Sequence, residues 1–233
     1  MDYFSESKSN KGQIVQSMFD EVAPKYDCFN AVLSMGMDTF WRSKAIKNLL
    51  HELPTQGPII DMGCGSGDLA GDLFGKHKVI GADFCHGMLK EAQKKMDRLP
   101  LSQADATNLP FSDESARGMI SAFVIRNIDG LPKAFKEFNR VLKPEGKLVI
   151  MEFSLPKNPI IRFGFMQYLK IMFPIACKLF KGDGEAYQYL RKSIQDFGTN
   201  IDVVNLLNQA GFTKCKKTPL LMGGVSLYEA TKA

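Results

Sequence analysis

Short apolar runs alternate with amphipathic stretches through the middle of the chain. PIIDMG (58–63), KVIGADF (78–84), a weaker LSQADA (101–106), GMISAFVI (118–125) and GKLVIMEF (146–153) read as strands. Helical spacing covers about 67–76, 86–98 and 131–142 between them. Strand, helix, strand, helix predicts an α/β fold, doubly wound and Rossmann-like around a mostly parallel sheet. Before this core, residues 14–50 carry apolar positions at roughly helical spacing, broken at Pro24 and Gly36. After it, VVNLLNQAGF predicts a helix. Two extended pieces then flank Gly223 and Gly224, which can turn one strand back antiparallel to the other.

Composition suits one globular domain: 233 residues, 45% hydrophobic and 24% charged. The pattern divides it into a flexible polar start (1–12) and a single domain (13–233). That domain comprises a helical cap (13–55), a ligand-binding core (56–153), lid helices (154–195) and a C-terminal helix with a strand hairpin (196–233). The five cysteines form no CxxC pair, and no signal peptide or run of about 18 apolar residues is visible, which predicts a reduced, cytoplasmic protein. The three histidines have no metal-ligand spacing, so no metal is expected. A net charge of +5 permits an anionic partner or membrane surface without demanding one.

The densest chemistry lies in IIDMGCGSGDLA (59–70). Gly63, Gly65 and Gly67 make the tight turn from first strand to first helix, where a ligand can approach the backbone. The dinucleotide fingerprint ends in a small residue, but counting from Gly63 that position is Asp68. A carboxylate there suits the helix dipole and repels a pyrophosphate. Asp61 ends the first strand. Asp83 ends the second, where an acid can hold both ribose hydroxyls. Three carboxylates around one cleft suit a cationic cofactor, S-adenosylmethionine, with its sulfonium and ammonium. Two unit charges ~5 Å apart interact by roughly 3 kcal/mol at an effective dielectric of about 20. In QADATNLPF (103–111), Asp105 is placed to accept from an adenine amino group and the Ala106 amide to donate to the ring. Ser66 lacks the spacing of a hydrolase nucleophile and reads as a hydroxyl facing the cofactor's polar end.

These residues resemble the ubiquinone and menaquinone biosynthesis C-methyltransferases, within the class I S-adenosylmethionine-dependent methyltransferases. The likeness runs from about residue 14 to 226. It rests on MFDEVAPKYDCFNAVLSMGMDTFWR with its YD..N core, IRNI (125–128), RVLKPEGKLVIMEFS (140–154) and DGEAYQYLRKSI (183–194). The resemblance implies a seven-stranded sheet with a C-terminal antiparallel strand, N-terminal helices over the active site, and methylation of a prenylated quinol ring. It carries cofactor contacts onto Ser66, Asp83, Asp105 and Ala106. One more falls on Ala122, where the family usually has serine. FVIRNI, YLRKSI and the ending GGVSLYEATKA depart from the family pattern, leaving the choice of benzoquinol or naphthoquinol open.

C-methylation requires a ring made nucleophilic by loss of a neighbouring hydroxyl proton. Arg126 and Asn127, just beyond the fourth strand, are expected at the mouth of the cleft. Arg126 would stabilise the phenolate or polarise a water, or instead form a structural ion pair with a cleft carboxylate. Asn127 would orient the water or the ring oxygen, and Tyr26 would cap the ring. The segment 153–182 contains no acid, several cations and many aromatic and aliphatic residues. It reads as a lid, as a peripheral membrane contact supplying a polyprenyl substrate, or as both. Rival readings are an O- or N-methyltransferase on this fold and a cofactor-binding scaffold without turnover. Nothing marks a nucleic-acid partner. Oligomeric state stays open, with a homodimer among the options.

Overall fold

The computed structural model describes residues 26–180 and 184–233. Helices α1 (Tyr26–Ser34) and α2 (Asp38–Leu50) precede the sheet. The core runs β1 (Ile59–Met62), α3 (Asp68–Leu73), β2 (Val79–Asp83), α4 (His86–Lys95), β3 (Leu101–Gln103) and β4 (Ala116–Ala122). A 3-10 turn (Ile125–Asn127), α5 (Leu131–Val141) and β5 (Leu142–Phe153) follow. Next come α6 (Pro159–Phe180), α7 (Gly184–Asn200), α8 (Val203–Gln209), β6 (Phe212–Leu220) and β7 (Val225–Lys232).

The strands form one seven-stranded sheet in the order β3-β2-β1-β4-β5-β7-β6. The first five are parallel, and β7 runs antiparallel to both β5 and β6. The C-terminal hairpin therefore forms, with Gly223 at φ +95° in its turn. The chain reverses between β1 and β4, the switch point where crevices open at the carboxyl ends of strands.

Strand residues alternate between two cores. Ile60, Met119, Leu148 and Ile150 join Phe135 and Phe138 on one face. Ile59, Ile120 and Val149 join Trp41, Leu49, Leu69 and Leu73 on the other. Both faces are covered, so β1 is buried at every position, as expected of a central parallel strand. Helix α5 shows why its sequence is helical: Leu131, Ala134, Phe135, Phe138 and Val141 fall on one buried stripe, and Pro132 sits in the first turn.

Three elements differ from the sequence reading. The fourth strand ends at Ala122 rather than continuing through FVI, because Phe123 turns left-handed at φ +60° and the chain coils into the 3-10 turn. The fifth begins at Leu142, before Gly146, and takes up a register shift against β4 with Glu145 at φ +60°. The third stops at Gln103, leaving Asp105 in a loop.

Candidate active site

The glycine loop follows β1 directly. Gly63, Gly65 and Gly67 have φ of +75°, +55° and +89°, a region costly for side chains bearing a Cβ. At Gly63 the reason is also spatial: a Cβ would fall 2.2 Å from Val124 Cγ2. The loop is tied to the end of β2. The Gly63 and Cys64 amides donate to the Ala82 carbonyl at 2.7 and 3.0 Å. The Gly65 amide donates to Asp83 Oδ2 and the Cys85 amide to Asp83 Oδ1, both at 2.8 Å.

Asp83 is thus buried with one backbone donor on each oxygen, and its remaining lone pairs face a ligand cleft that it lines. Burial raises its pKa, opposed by those amides. Asp61, behind the loop, is 1% exposed, and its Oδ2 has no hydrogen-bond partner among the described residues. Burial first, and the nearby Asp83 charge second, push its carboxyl up to about 8. A buried carboxylate oxygen without a donor is expensive in a finished structure. A cationic ligand at this cleft would relieve it.

The cleft encloses roughly 930 Å³ of space, its open mouth included. It gathers Gly63, Gly65 and Asp83 with Asp105 and Ala106. Ala122 and Asn127 close the β4 side, where Phe123, Val124 and Ile128 add an apolar wall. Asp105 is held by the Thr107 amide and hydroxyl, at 2.8 and 2.9 Å on Oδ1. At the fourth strand Ala122 has no hydroxyl. Its neighbour Ser121 turns the other way and donates to the Met62 carbonyl at 2.7 Å, bracing β4 on β1.

Asp61, Ser66, Gly67 and Arg126 are not among the residues lining this cleft. Ser66 corrects its expected role. Its hydroxyl donates to Asp27 of α1, and Asp27 also pairs with Lys95 of α4. Lys95 reaches Asp68 at 2.9 Å, so the hydroxyl fastens the N-terminal cap to the loop. Arg126 likewise turns inward instead of standing at the mouth. Its side chain is 4% exposed and lies 2.9 Å from Glu152 Oε1, whose side chain is fully buried. The same guanidinium donates to the Phe123 carbonyl and lies over the Phe153 ring. The structural ion pair is therefore present, with Glu152 of β5 in place of a cleft acid. Tyr26 opens α1, and its side chain lies outside the described residues.

Sequence reading missed Glu152, although an acid ending the apolar run LVIME was a signal. It also missed Tyr189 of α7, whose hydroxyl donates to Asn127 Oδ1 at 3.3 Å. Burial pushes that phenol up to about 12. The contact leaves the Asn127 Nδ2 group as the donor available to a ligand. Lys95 and the apolar wall had no recognisable local pattern.

A doubly wound sheet closed by an antiparallel strand, with an acid-rimmed glycine loop at its switch point, defines a class I S-adenosylmethionine-dependent methyltransferase. An S-adenosylmethionine-dependent methyltransferase from Thermotoga maritima, described as a possible histamine N-methyltransferase, superposes with a TM-score of 0.64 at 20% identity, over 94% of this chain and 99% of that one. The chain belongs to the ubiE/COQ5 methyltransferase family, whose model matches residues 5–232. The demethylmenaquinone methyltransferase of Chlorobaculum parvum is 36% identical, across 94% of this chain and 92% of that protein. The ubiquinone/menaquinone biosynthesis C-methyltransferase of Syntrophotalea carbinolica is 35% identical, across 95% of each. The cofactor is S-adenosylmethionine, and the orphaned Asp61 oxygen and the Asp83 and Asp105 carboxylates of the cleft fit it, whereas Asp68, expected at the cleft, is instead engaged by Lys95 and Arg42.

Proposed function

We propose that the protein methylates a ring carbon of a reduced, prenylated quinol, of the demethylmenaquinol type or its benzoquinol counterpart. The observation that carries this reading is the β4 side of the cleft, where an amide fixed by a tyrosine stands in an apolar wall. An aromatic ring can pack on Phe123, Val124 and Ile128 while its oxygen receives the Asn127 amide. The names of the relatives support the same substrate class.

When bound, S-adenosylmethionine supplies an electrophilic methyl group. Asp83 is placed for the ribose hydroxyls, and Asp105 with the Ala106 amide for the adenine. Asp61 compensates cationic charge from behind the loop. Asn127 donates to the quinol oxygen as it gains negative charge, a role for a preorganised donor. Tyr189 keeps that amide from rotating. Arg126 and Glu152 neutralise one another at the base of the 125–127 turn and hold the turn that presents Asn127. Arg126 is therefore assigned a positioning role, and Tyr26 a ring-capping one.

The test is methyl transfer from labelled S-adenosylmethionine to short-tailed demethylnaphthoquinol and its benzoquinol counterpart, with the methylated atom located by mass fragmentation. Ring-carbon methylation of either is expected. Cofactor binding with transfer only to oxygen or nitrogen, or with none, would overturn the proposal.

A further inference from the structure

Helix α6 is apolar on two opposite faces. Phe165 and Leu169 are buried with Ile194 of α7, packed against Leu33, Leu155 and Leu221. Across the helix, Ile160 is 81% exposed, Phe163 67% and Ile171 59%, with Ile175 and Gly164 exposed beside them. At 100° per residue these five positions share an arc of about 120° that holds no charged residue between Ile160 and Ile175. An ordinary surface helix has one apolar stripe and a polar back. This one has a second stripe where its polar back should be.

Two exposed methionines adjoin the packed side of the helix. Tyr168 donates to the Leu33 carbonyl at 2.6 Å, bringing the α1–α2 turn and its exposed Met35 against α6. Leu221 packs on the buried side and is followed by exposed Met222. Along the helix itself the charge has one sign. Residues 153–182 contain no aspartate or glutamate. Lys157, Arg162 and Lys170 are exposed and belong to no ion pair among the described residues.

We infer that this outward face of α6 docks on an anionic bilayer. The stripe of Ile160, Phe163, Ile171 and Ile175 enters the boundary between headgroups and acyl chains, and Lys157 and Lys170 meet the anionic headgroups, while Arg162 faces α7, where it donates to Thr199 Oγ1 at 3.5 Å. A second copy of the chain fits less well, because a two-fold interface would set these cations against their own symmetry mates. No described helix is long and apolar enough to cross a membrane, so the contact is a surface one. The purpose of the contact rests on the quinol reading. Helix α6 packs on α7, and α7 carries Tyr189 to Asn127, so a lipophilic substrate leaving the bilayer is one helix away from the cleft.

The experiment is sedimentation of the full chain with vesicles of phosphatidylcholine alone or mixed with phosphatidylglycerol. Binding to the mixed vesicles is expected, weakening roughly fivefold for each of Lys157→Ala and Lys170→Ala. Phe163→Glu combined with Ile171→Glu should weaken it by at least about tenfold. All four side chains are exposed, so S-adenosylmethionine affinity should stay unchanged and report an intact fold. Binding indifferent to headgroup charge, or to the paired glutamates, would sink the inference. So would a dimer in sedimentation velocity that Ile171→Glu dissolves while vesicles bind nothing. Methyl transfer to a soluble short-tailed quinol is read separately: its absence beside intact vesicle binding counts against the quinol reading alone.

Discussion

Asp61 and Glu152 are both carboxylates at the ends of central strands, both almost wholly buried, and they are treated in opposite ways. Glu152 receives the Arg126 guanidinium at 2.9 Å, the Phe153 amide at 2.7 Å and the Arg126 amide at 3.3 Å. Asp61 has an oxygen with no donor among the described residues and a second acid, Asp83, nearby. The Glu152 side, the complete half, holds a cation against its carboxylate, and the Asp61 side, the incomplete half, holds a second anion nearby. The complete half braces the turn that bears Asn127, while the incomplete half is the one that, on the proposed function, cationic charge from the cofactor would offset. A protein spends stability at a site of this kind to gain affinity for what completes it.

Breaking the complete half should have the largest effect. Arg126→Ala strands a buried carboxylate and is expected to cost about 3–5 kcal/mol of stability in urea denaturation. A cost below about 1 kcal/mol would mean that Glu152 is no better compensated than Asp61, and the contrast would fail. On the incomplete side, Asp83→Ala should weaken S-adenosylmethionine binding roughly 10- to 100-fold by calorimetry, because it removes hydrogen bonds to a charged acceptor and loosens the Gly65 amide. An affinity within twofold of wild type would remove Asp83 from the site.

Tyr189→Phe keeps the ring and deletes its bond to Asn127. It should lower kcat roughly three- to tenfold while leaving cofactor affinity alone. Equal losses in both would make Tyr189 a packing residue.

Asp61 sharpens the comparison through protons. Its folded pKa of about 8 lies above the unfolded value, so its proton's contribution to stability is complete below about pH 4 and fades as the pH climbs through 8. A bound cation favours the ionised form, so cofactor binding near pH 7 should release a fraction of a proton. Calorimetry in two buffers of different ionisation enthalpy measures it, and Asp61→Asn should abolish it. Equal release from both proteins would contradict the assignment. The smallest effect is expected at the half-exposed seam: Lys95→Met should cost at most about 1 kcal/mol and less in high salt.

The cofactor half was legible in the sequence because its parts lie at strand ends. Once the apolar runs are placed, Gly63, Gly65, Asp83 and Asp105 have almost nowhere else to go. The β4 side was less legible. The family resemblance picked out IRNI, but the strand stops at Ala122 and Phe123 turns left-handed, and that reversal points Arg126 inward and Asn127 outward. The Ser66 contact was hidden for a similar reason: its hydroxyl donates to Asp27, distant in sequence and brought by the packing of α1.

Periodicity, glycine spacing and the distribution of acids by themselves determined the doubly wound sheet, the position of the glycine loop and the acids that end β1 and β2 beside it. These depend on local backbone geometry and on which side chains can be buried. The tertiary structure alone decided which charges are neutralised. Pairing depends on which strand and helix ends meet, so Arg126 could find Glu152, and one Asp61 oxygen could be left without a donor, only when β1, β4 and β5 came together.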